Sequence, residues 1–273
     1  MIFTTFYFSG TGNTKWVVEQ FNCILNKTSH QTASYAIDNL NRISKEALAD
    51  IIKKSAYIGL AHPIYGANVP PIMKEFISLL ADIVHVEKIP AKPLYIINTF
   101  GYINAFGPFA ARKLFGKECF NIKAYSNIKL CNNVSTRSHK TAPITDEKLS
   151  IRKQRAIDEL HKLIQDILSS KKHIKGIGFY LLPGIIIRKI SNQSVKNHYQ
   201  ALSVQMSTCT KCMLCVQRCP ANSISFANER FTFSSKCTAC MRCYNFCPTA
   251  SVLINETFTD PQEYFRYKGP GKS

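Results

Sequence analysis

The last quarter of this 273-residue chain contains two copies of one cysteine pattern. Residues 209–220 read CTKCMLCVQRCP and residues 237–248 read CTACMRCYNFCP, so both follow C-x2-C-x2-C-x3-C-P, 28 positions apart. The repeat continues beyond the cysteines, because Ile224 and Phe226 correspond to Val252 and Ile254. These copies contain eight of the eleven cysteines, and an odd total argues against a full set of disulfides. The pattern therefore indicates thiols that bind metal.

The spacing of the cysteines is that of the bacterial double-cluster ferredoxins. A short loop brings three thiolates to three corners of one iron–sulfur cubane, and the fourth cysteine, after a turn, ligates the other cubane. A zinc site is the alternative, but zinc takes four ligands, usually from two C-x2-C pairs. The pattern predicts two 4Fe–4S clusters, one held by Cys209, Cys212, Cys215 and Cys247 and the other by Cys219, Cys237, Cys240 and Cys243. We expect the remaining thiols, Cys23, Cys119 and Cys131, to be buried and inert.

At the other end of the chain, an apolar run at 2–8 is followed by the loop SGTGNT at 9–14. The run predicts a strand buried on both faces, and residues 13–25 have the apolar spacing of a helix. A loop between a strand and a helix presents free N–H groups to an anion. The loop has no GK pair, and Lys15 stands where a dinucleotide fingerprint needs glycine. We therefore predict a phosphomonoester site, with an ordinary turn as the alternative, at Ser9, Gly10, Thr11, Gly12, Asn13 and Thr14.

Strand and helix patterns continue to alternate as far as residue 170. Further strands are predicted at 33–38, 56–61, 93–100 and 123–130, and further helices at 44–54, 70–82, 107–118 and 145–170. Five strands interleaved with five helices predict a parallel, doubly wound α/β sheet of order 2-1-3-4-5. In such a sheet the ligand binds at the carboxyl edge, between the first and third strands. The SGTGNT loop follows the first strand and so belongs to this edge.

Two more loops reach the same edge, HPIYGANVP at 62–70 and TFGYINAFG at 99–107. Both combine aromatic residues with glycines, which could cover a flat ring and offer it backbone hydrogen bonds. We predict flavin contacts, with the first tyrosine as the leading candidate for stacking, from Tyr65, Gly66, Thr99, Phe100, Gly101 and Tyr102. The alternative is that each aromatic side chain packs within its own domain. In the loop after the fifth strand, Asn132 and Asn133 either border the pocket or form a plain polar turn.

Together these motifs resemble a family of flavodoxin–ferredoxin fusion proteins from bacteria and archaea, mostly anaerobes. Residues 1–170 are similar to flavodoxins through SGTGNT, and residues 201–256 are similar to a 2[4Fe–4S] ferredoxin, which adds a small α+β domain. A basic and apolar linker at 171–200 would join the two domains, and 257–273 would form a tail. The resemblance implies that the flavin is FMN and that the protein is an electron carrier.

The chain has a net charge of +18, and residues 136–200 are its most basic part, with 13 basic and 5 acidic residues. This charge favours a redox partner with an acidic surface, whereas a solvated helix face is the plain alternative. The apolar segment 177–187 with its basic flanks suggests peripheral contact with a membrane. No helix-turn-helix, RRM or zinc-finger pattern supports nucleic-acid binding. The N-terminus shows no signal peptide, so we expect a cytoplasmic protein.

The sequence leaves three functions open. The first is intramolecular electron transfer between FMN and two 4Fe–4S clusters, on behalf of redox partners. The second is an iron–sulfur flavoenzyme that reduces a small substrate. The third is a cluster protein in which the flavodoxin-like domain only docks or senses.

Overall fold

The N-terminal domain is built on a parallel sheet of six strands. The structure, a computed structural model, describes residues 1–38, 43–102, 104, 114, 119–137, 140–175 and 193–271. The strand order is β2-β1-β3-β4-β5-β6, so the predicted order 2-1-3-4-5 is confirmed and a sixth strand extends it. The strands are β1 (Ile2–Tyr7), β2 (Gln31–Ala36), β3 (Tyr57–Pro63), β4 (Lys92–Phe100), β5 (Phe120–Lys129) and β6 (His173–Ile174).

Among the described residues, four helices flank this sheet, and their bounds lie close to the predicted ones. They are α1 (Asn13–Leu25), α2 (Lys45–Lys54), α3 (Pro71–Val86) and α4 (Asp146–Leu168). Ser44 and Thr145 cap α2 and α4, each accepting a hydrogen bond from the backbone N–H three residues on. The helix predicted at 107–118 lies almost wholly outside the described residues.

The sheet is buried on both faces, as its apolar strands require. One face packs against α2 and α3 through residues such as Phe6 and Leu60, and the other packs against α1 and α4. The ring of Tyr95 on β4 lies directly against the backbone of β3 at Gly59. A Cβ added at Gly59 would lie 2.2 Å from that ring, so only glycine fits there.

A buried polar network holds the short sixth strand. His173 of β6 is almost fully buried between two carboxylates of α4. Its Nδ1 lies 2.8 Å from Asp166 Oδ2, and its Nε2 lies 2.9 Å from Glu159 Oε1. The hydrogen bond to His173 is the main cause that lowers the pKa of Asp166. This network fixes β6 beside β5, although β6 lies inside the segment that the sequence assigns to the linker.

The C-terminal region adopts the same backbone conformation in two places. Its strands form two antiparallel pairs, in which β7 (Leu202–Val204) pairs with β10 (Val252–Ile254) and β8 (Ile224–Ala227) pairs with β9 (Arg230–Phe233). Its helices α5 (Leu214–Gln217) and α6 (Arg242–Phe246) begin 28 positions apart. The residue before each helix has nearly the same left-handed backbone, with φ of 58° at Met213 and 60° at Met241. The predicted sequence repeat is therefore also a structural repeat.

None of the helices in the described ranges combines the length and the apolar character that crossing a bilayer requires. The apolar segment 177–187, for which the sequence suggests membrane contact, lies outside the described residues.

Candidate functional site

The loop between β1 and α1, residues 9–14, is where the sequence predicts a phosphate site, and we call it the phosphate loop. Gly12, which has no side chain to cap the helix, precedes α1 with φ of 107°. The hydroxyl of Ser9 accepts hydrogen bonds of 3.2 Å from the backbone N–H groups of Gly12 and Lys15. Thr14 is buried, and its Oγ1 lies 2.8 Å from Thr99 Oγ1. A helix N-terminus surrounded by hydroxyl groups suits a phosphate.

A cavity of about 410 Å³ opens beside this loop, at the carboxyl edge of the sheet. This volume lies in the range of pockets that hold small-molecule cofactors. Of the residues predicted to hold the flavin, all except Gly12 line the cavity, and Gly12 lies on the other side of the loop. The cavity is also lined by Pro63, Ile64, Ala67, Cys131, Asn132, Asn133 and Val134.

The three aromatic candidates for stacking are placed differently within this cavity. Tyr102 is 65% exposed, whereas Phe100 and Tyr65 are half-buried. The hydroxyl of Tyr65 points at the phosphate loop, because a Cβ added at Gly10 would lie 2.3 Å from it. Desolvation raises the pKa of Tyr65 well above its usual value. Stacking on a flavin stays a prediction for all three residues.

Two further cavities lie in the C-terminal region, and each is lined by one predicted set of four cysteines. We name these sets by their distance from the phosphate loop. The proximal set is Cys219, Cys237, Cys240 and Cys243, and the distal set is Cys209, Cys212, Cys215 and Cys247. Each set takes three thiols from one motif and the last thiol from the other, as the cubane geometry requires. The assignment of individual ligands stays a prediction.

Backbone N–H groups already point at sulfur atoms of both sets, and two of these contacts are equivalent in the repeat. Ser223 N donates to Cys219 Sγ and Ser251 N donates to Cys247 Sγ, each at 3.3 Å, and these two pairs are 28 positions apart. Such hydrogen bonds tune the potential of a cluster. Each set therefore has one sulfur with an equivalent backbone donor.

Burial makes one thiol of the distal set and one of the proximal set less acidic than a free cysteine. Desolvation raises the pKa of Cys215 to about 11 and that of Cys240 to about 12. Coordination to iron would stabilise the thiolate form of these two groups.

The thiols of each set surround a space instead of converging on one point. Within the described ranges, no group of three or more His, Cys, Asp or Glu side chains is placed to hold a single metal ion. A cubane differs from a single ion because its ligands stand at its separate corners.

Residues 201–248 match the family model described as a 4Fe-4S dicluster domain. The match identifies a ferredoxin-type 4Fe–4S region, and we call residues 201–256, which contain it, the dicluster domain. Its cysteine pattern, its structural repeat and its paired cavities agree with that assignment. The dicluster domain follows a sheet whose order is that of flavodoxin. The chain thus joins a flavodoxin-like domain to a dicluster domain.

Solved structures that resemble the chain do so through part of its length. The first is rubredoxin oxygen:oxidoreductase from the anaerobe Desulfovibrio gigas, with 12% identity, a TM-score of 0.38, and coverage of 60% of this chain and 37% of that one. The flavodiiron protein of Giardia intestinalis has 14% identity, a TM-score of 0.38, and coverage of 62% of this chain and 38% of that one. A flavodoxin from the domain Archaea has 14% identity, a TM-score of 0.35, and coverage of 60% of this chain and 99% of that one. The chain therefore spans little more than a third of the first two proteins, and no curated protein matches it.

The dicluster domain packs directly on the phosphate loop, and Arg242 is the central contact. Its guanidinium donates to the carbonyl oxygens of Ser9 at 2.8 Å and Gly10 at 3.1 Å. It also donates to Asp38 Oδ2 at 2.8 Å and to the carbonyl oxygen of Arg218 at 3.0 Å. One side chain of the second cysteine motif therefore ties that motif to the flavodoxin-like domain.

Cys240, two residues before this arginine, lies at the boundary between the domains. Only 7% of its surface is exposed, and it packs into the core of the flavodoxin-like domain. Its carbonyl oxygen accepts a 3.3 Å hydrogen bond from Asn133 Nδ2, which also lies 3.2 Å from Thr11 Oγ1. The proximal set thus reaches the wall of the 410 Å³ cavity through Cys240.

Sequence reasoning missed Arg242 and left the role of Asn133 open. One signal was present in the repeat, because Leu214 occupies the position in the first motif that Arg242 occupies in the second. A charge in only one of two equivalent positions indicates a contact that only one motif makes. The sequence did not show which surface that contact involves.

Proposed function

We propose that this protein is an electron carrier that connects FMN at the edge of the sheet with two 4Fe–4S clusters. Bound FMN exchanges one or two electrons and each cubane exchanges one, and the protein holds these groups close together and away from water. The observation that supports the proposal most directly is the position of Cys240. This proposed ligand of the proximal set is buried against the phosphate loop that would hold FMN.

The three candidate sites are arranged in the order flavin cavity, proximal set and distal set. Cys240 of the proximal set contacts Gly10 and Asn133 in the wall of the flavin cavity, whereas every described residue that lines the distal cavity lies between 204 and 252. Cys212 of the distal set is exposed. The arrangement therefore supports a flavin at the inner end and a distal cluster that reaches the surface, where a second redox protein can exchange electrons with it.

Cofactor content is the direct test. Protein that is purified and reconstituted without oxygen should contain about eight irons and about eight sulfides per chain, together with one FMN. Full iron content with no flavin would contradict the proposal and would favour a cluster protein with a docking domain. Steady-state reduction of a small molecule without any partner protein would instead favour an enzyme.

The partner surface that we propose is a groove between the two domains, called here the seam groove. It has a volume of about 480 Å³ and passes the outer side of the phosphate loop and Cys219 of the proximal set. Its described lining has one acidic side chain, Asp38, which is paired with Arg242. The cationic side chains of the lining are Lys15, Arg218, Arg242 and Lys268. A partner with an acidic surface would therefore be attracted to the groove, where the proposed phosphate site and the proximal set approach the surface.

Reversing charges in the seam groove should slow reaction with anionic oxidants. We expect Lys15→Glu with Arg218→Glu to lower the rate of oxidation of the reduced protein by tris(oxalato)cobaltate(III) about tenfold at low salt. The rate with cationic hexaamminecobalt(III) should rise, and both effects should shrink at high salt. Stopped-flow absorbance measures both rates.

The matched control reverses two exposed lysines of α4, in Lys148→Glu with Lys162→Glu. This variant has the same net charge as the seam variant and should change both rates less than about twofold, since neither lysine lines the groove. Equal effects of the two variants would show that total charge, and not the groove, controls the reaction.

A further inference from the structure

The end of the chain returns to the phosphate loop. We call residues 266–269 the C-terminal strap. A Cβ added at Gly12 would lie 3.0 Å from Gly269 Cα, and a Cβ added at Gly269 would lie 3.0 Å from the carbonyl oxygen of Thr11. Both glycines have a left-handed backbone, with φ of 107° and 99°. Backbone therefore packs against backbone, with no room for a side chain at either position.

Tyr267 connects the strap to both domains. Only 7% of its surface is exposed, and its hydroxyl donates to Asn13 Oδ1, at the first residue of α1. Asn13 Nδ2 in turn donates to the carbonyl oxygen of Cys131 in the cavity wall, at 2.8 Å. The backbone N–H of Tyr267 donates to Asn245 Oδ1 of the dicluster domain, at 2.8 Å. The position of Asn13 in the phosphate loop is thus fixed from two sides.

Arg266 anchors the strap at its beginning. Its guanidinium lies 3.5 Å from the centroid of the Tyr244 ring, a cation–π contact with a fully buried tyrosine. Its Nη2 also donates to the carbonyl oxygen and the hydroxyl of Thr259, both at 3.0 Å. The strap is therefore held on the dicluster domain where it meets the phosphate loop.

We propose that the C-terminal strap completes the phosphate site of FMN by holding the SGTGNT loop in its binding conformation. This inference rests on the proposed function, because it takes the loop to be the FMN phosphate site. A loop that is already ordered loses less entropy when it binds its ligand, so its affinity is higher. The strap contacts the outer side of the loop at Gly12, which does not line the 410 Å³ cavity. The contacts of the strap with this loop lie at Thr11, Gly12 and Asn13, so we expect it to act on the phosphate contacts more than on the ring pocket.

The test compares FMN with riboflavin, which has the same ring and no phosphate. We expect Tyr267→Phe to weaken FMN binding about tenfold, because the hydrogen bond to Asn13 is lost. Gly269→Ala should weaken it at least as much, since the new Cβ meets the Thr11 carbonyl. Riboflavin affinity should change less than about twofold, because its binding involves no phosphate contact. Flavin titrations of the full-length protein with intact clusters measure both constants.

The matched control is Tyr264→Phe, which removes a tyrosine hydroxyl shortly before the strap and should leave both affinities unchanged. Iron content reports that each variant is folded. Unchanged FMN affinity in both strap variants would overturn the inference and leave the FMN site standing. Equal losses for FMN and riboflavin would also overturn it, because the effect would then lie in the ring pocket. A wild-type protein that binds neither flavin would overturn the proposed function and this inference with it.

Discussion

Replacing Cys215 by serine is expected to remove about four irons per chain, half of the complement, and to leave FMN content unchanged. Cys215 lines the distal cavity, whose described lining residues all lie between 204 and 252. A serine hydroxyl keeps its proton near neutral pH and is a poor substitute for a thiolate. Because the two cavities share none of their described lining residues, the loss of this cluster should not reach the flavin. Iron, sulfide and flavin assays on protein prepared without oxygen give the result.

The same substitution at Cys240 should have a different outcome. Cys240→Ser should also remove about four irons, but it changes a buried residue that packs on the phosphate loop. We therefore expect weaker FMN binding in this variant, whereas Cys215→Ser retains normal binding. Comparing the two variants tests the order of the sites, because Cys240 packs into the core of the flavodoxin-like domain, whereas the described lining of the distal cavity lies between 204 and 252.

Cys23→Ser provides the control, since Cys23 lies outside both motifs. This thiol is exposed, so the expectation that it is buried was wrong, whereas Cys131 is buried as predicted and Cys119 is half-buried. The control should keep all of its iron and flavin. If Cys215→Ser lost both kinds of cofactor, the two domains would not bind their cofactors independently.

The features that sequence predicted well have local physical causes. The bounds of α1 follow from apolar spacing within one helix, and the cap of α4 at Thr145 follows from a single hydroxyl. The grouping of the eight cysteines around two cavities follows from their spacing in the repeat, while their role as cluster ligands stays a prediction. Each of these features depends on residues that are close together in sequence, or on a repeat that can be read directly.

The features that sequence could not predict depend on contacts between distant residues. Arg242 reaches the Ser9 carbonyl across 233 positions, and Tyr267 reaches Asn13 across 254 positions. No periodicity or turn signal specifies such pairs, because a backbone carbonyl is an acceptor at every position. The strand β6 has only two residues, which is too short for an alternating pattern to show. The relation between the domains therefore had to come from the structure.

The direction of the Tyr65 side chain illustrates the same limit. Its place in a loop with glycine at the carboxyl edge of the sheet predicted a ring against a flavin. The structure places it in that cavity, with its hydroxyl beside Gly10 and next to the cysteine loop of the other domain. The sequence of one domain contains no information on what the other domain places there.

Removing Arg242 is expected to uncouple the two domains. Arg242→Ala leaves the carbonyl oxygens of Ser9 and Gly10 and the carboxylate of Asp38 without their donor. We expect a loss of about 2 kcal/mol in the free energy of unfolding, because these acceptors are only partly compensated by water. Electron exchange between FMN and the clusters should slow at least about tenfold, because the proximal set is no longer held on the phosphate loop. Denaturant titration measures the first effect, and rapid-reaction absorbance after partial reduction measures the second.

Two comparison variants separate the effect of the place of Arg242 from the effect of its positive charge. Arg230→Ala removes an exposed arginine of β9 and should leave both stability and exchange unchanged. Arg242→Lys keeps the positive charge, but one ammonium group cannot reach two carbonyl oxygens and a carboxylate together as the planar guanidinium does. If the lysine variant exchanged electrons as fast as the wild type, the charge beside the loop would be sufficient and the fork of donors would be unnecessary. If instead it behaved like the alanine variant, the geometry of this one side chain would set how closely the two domains approach.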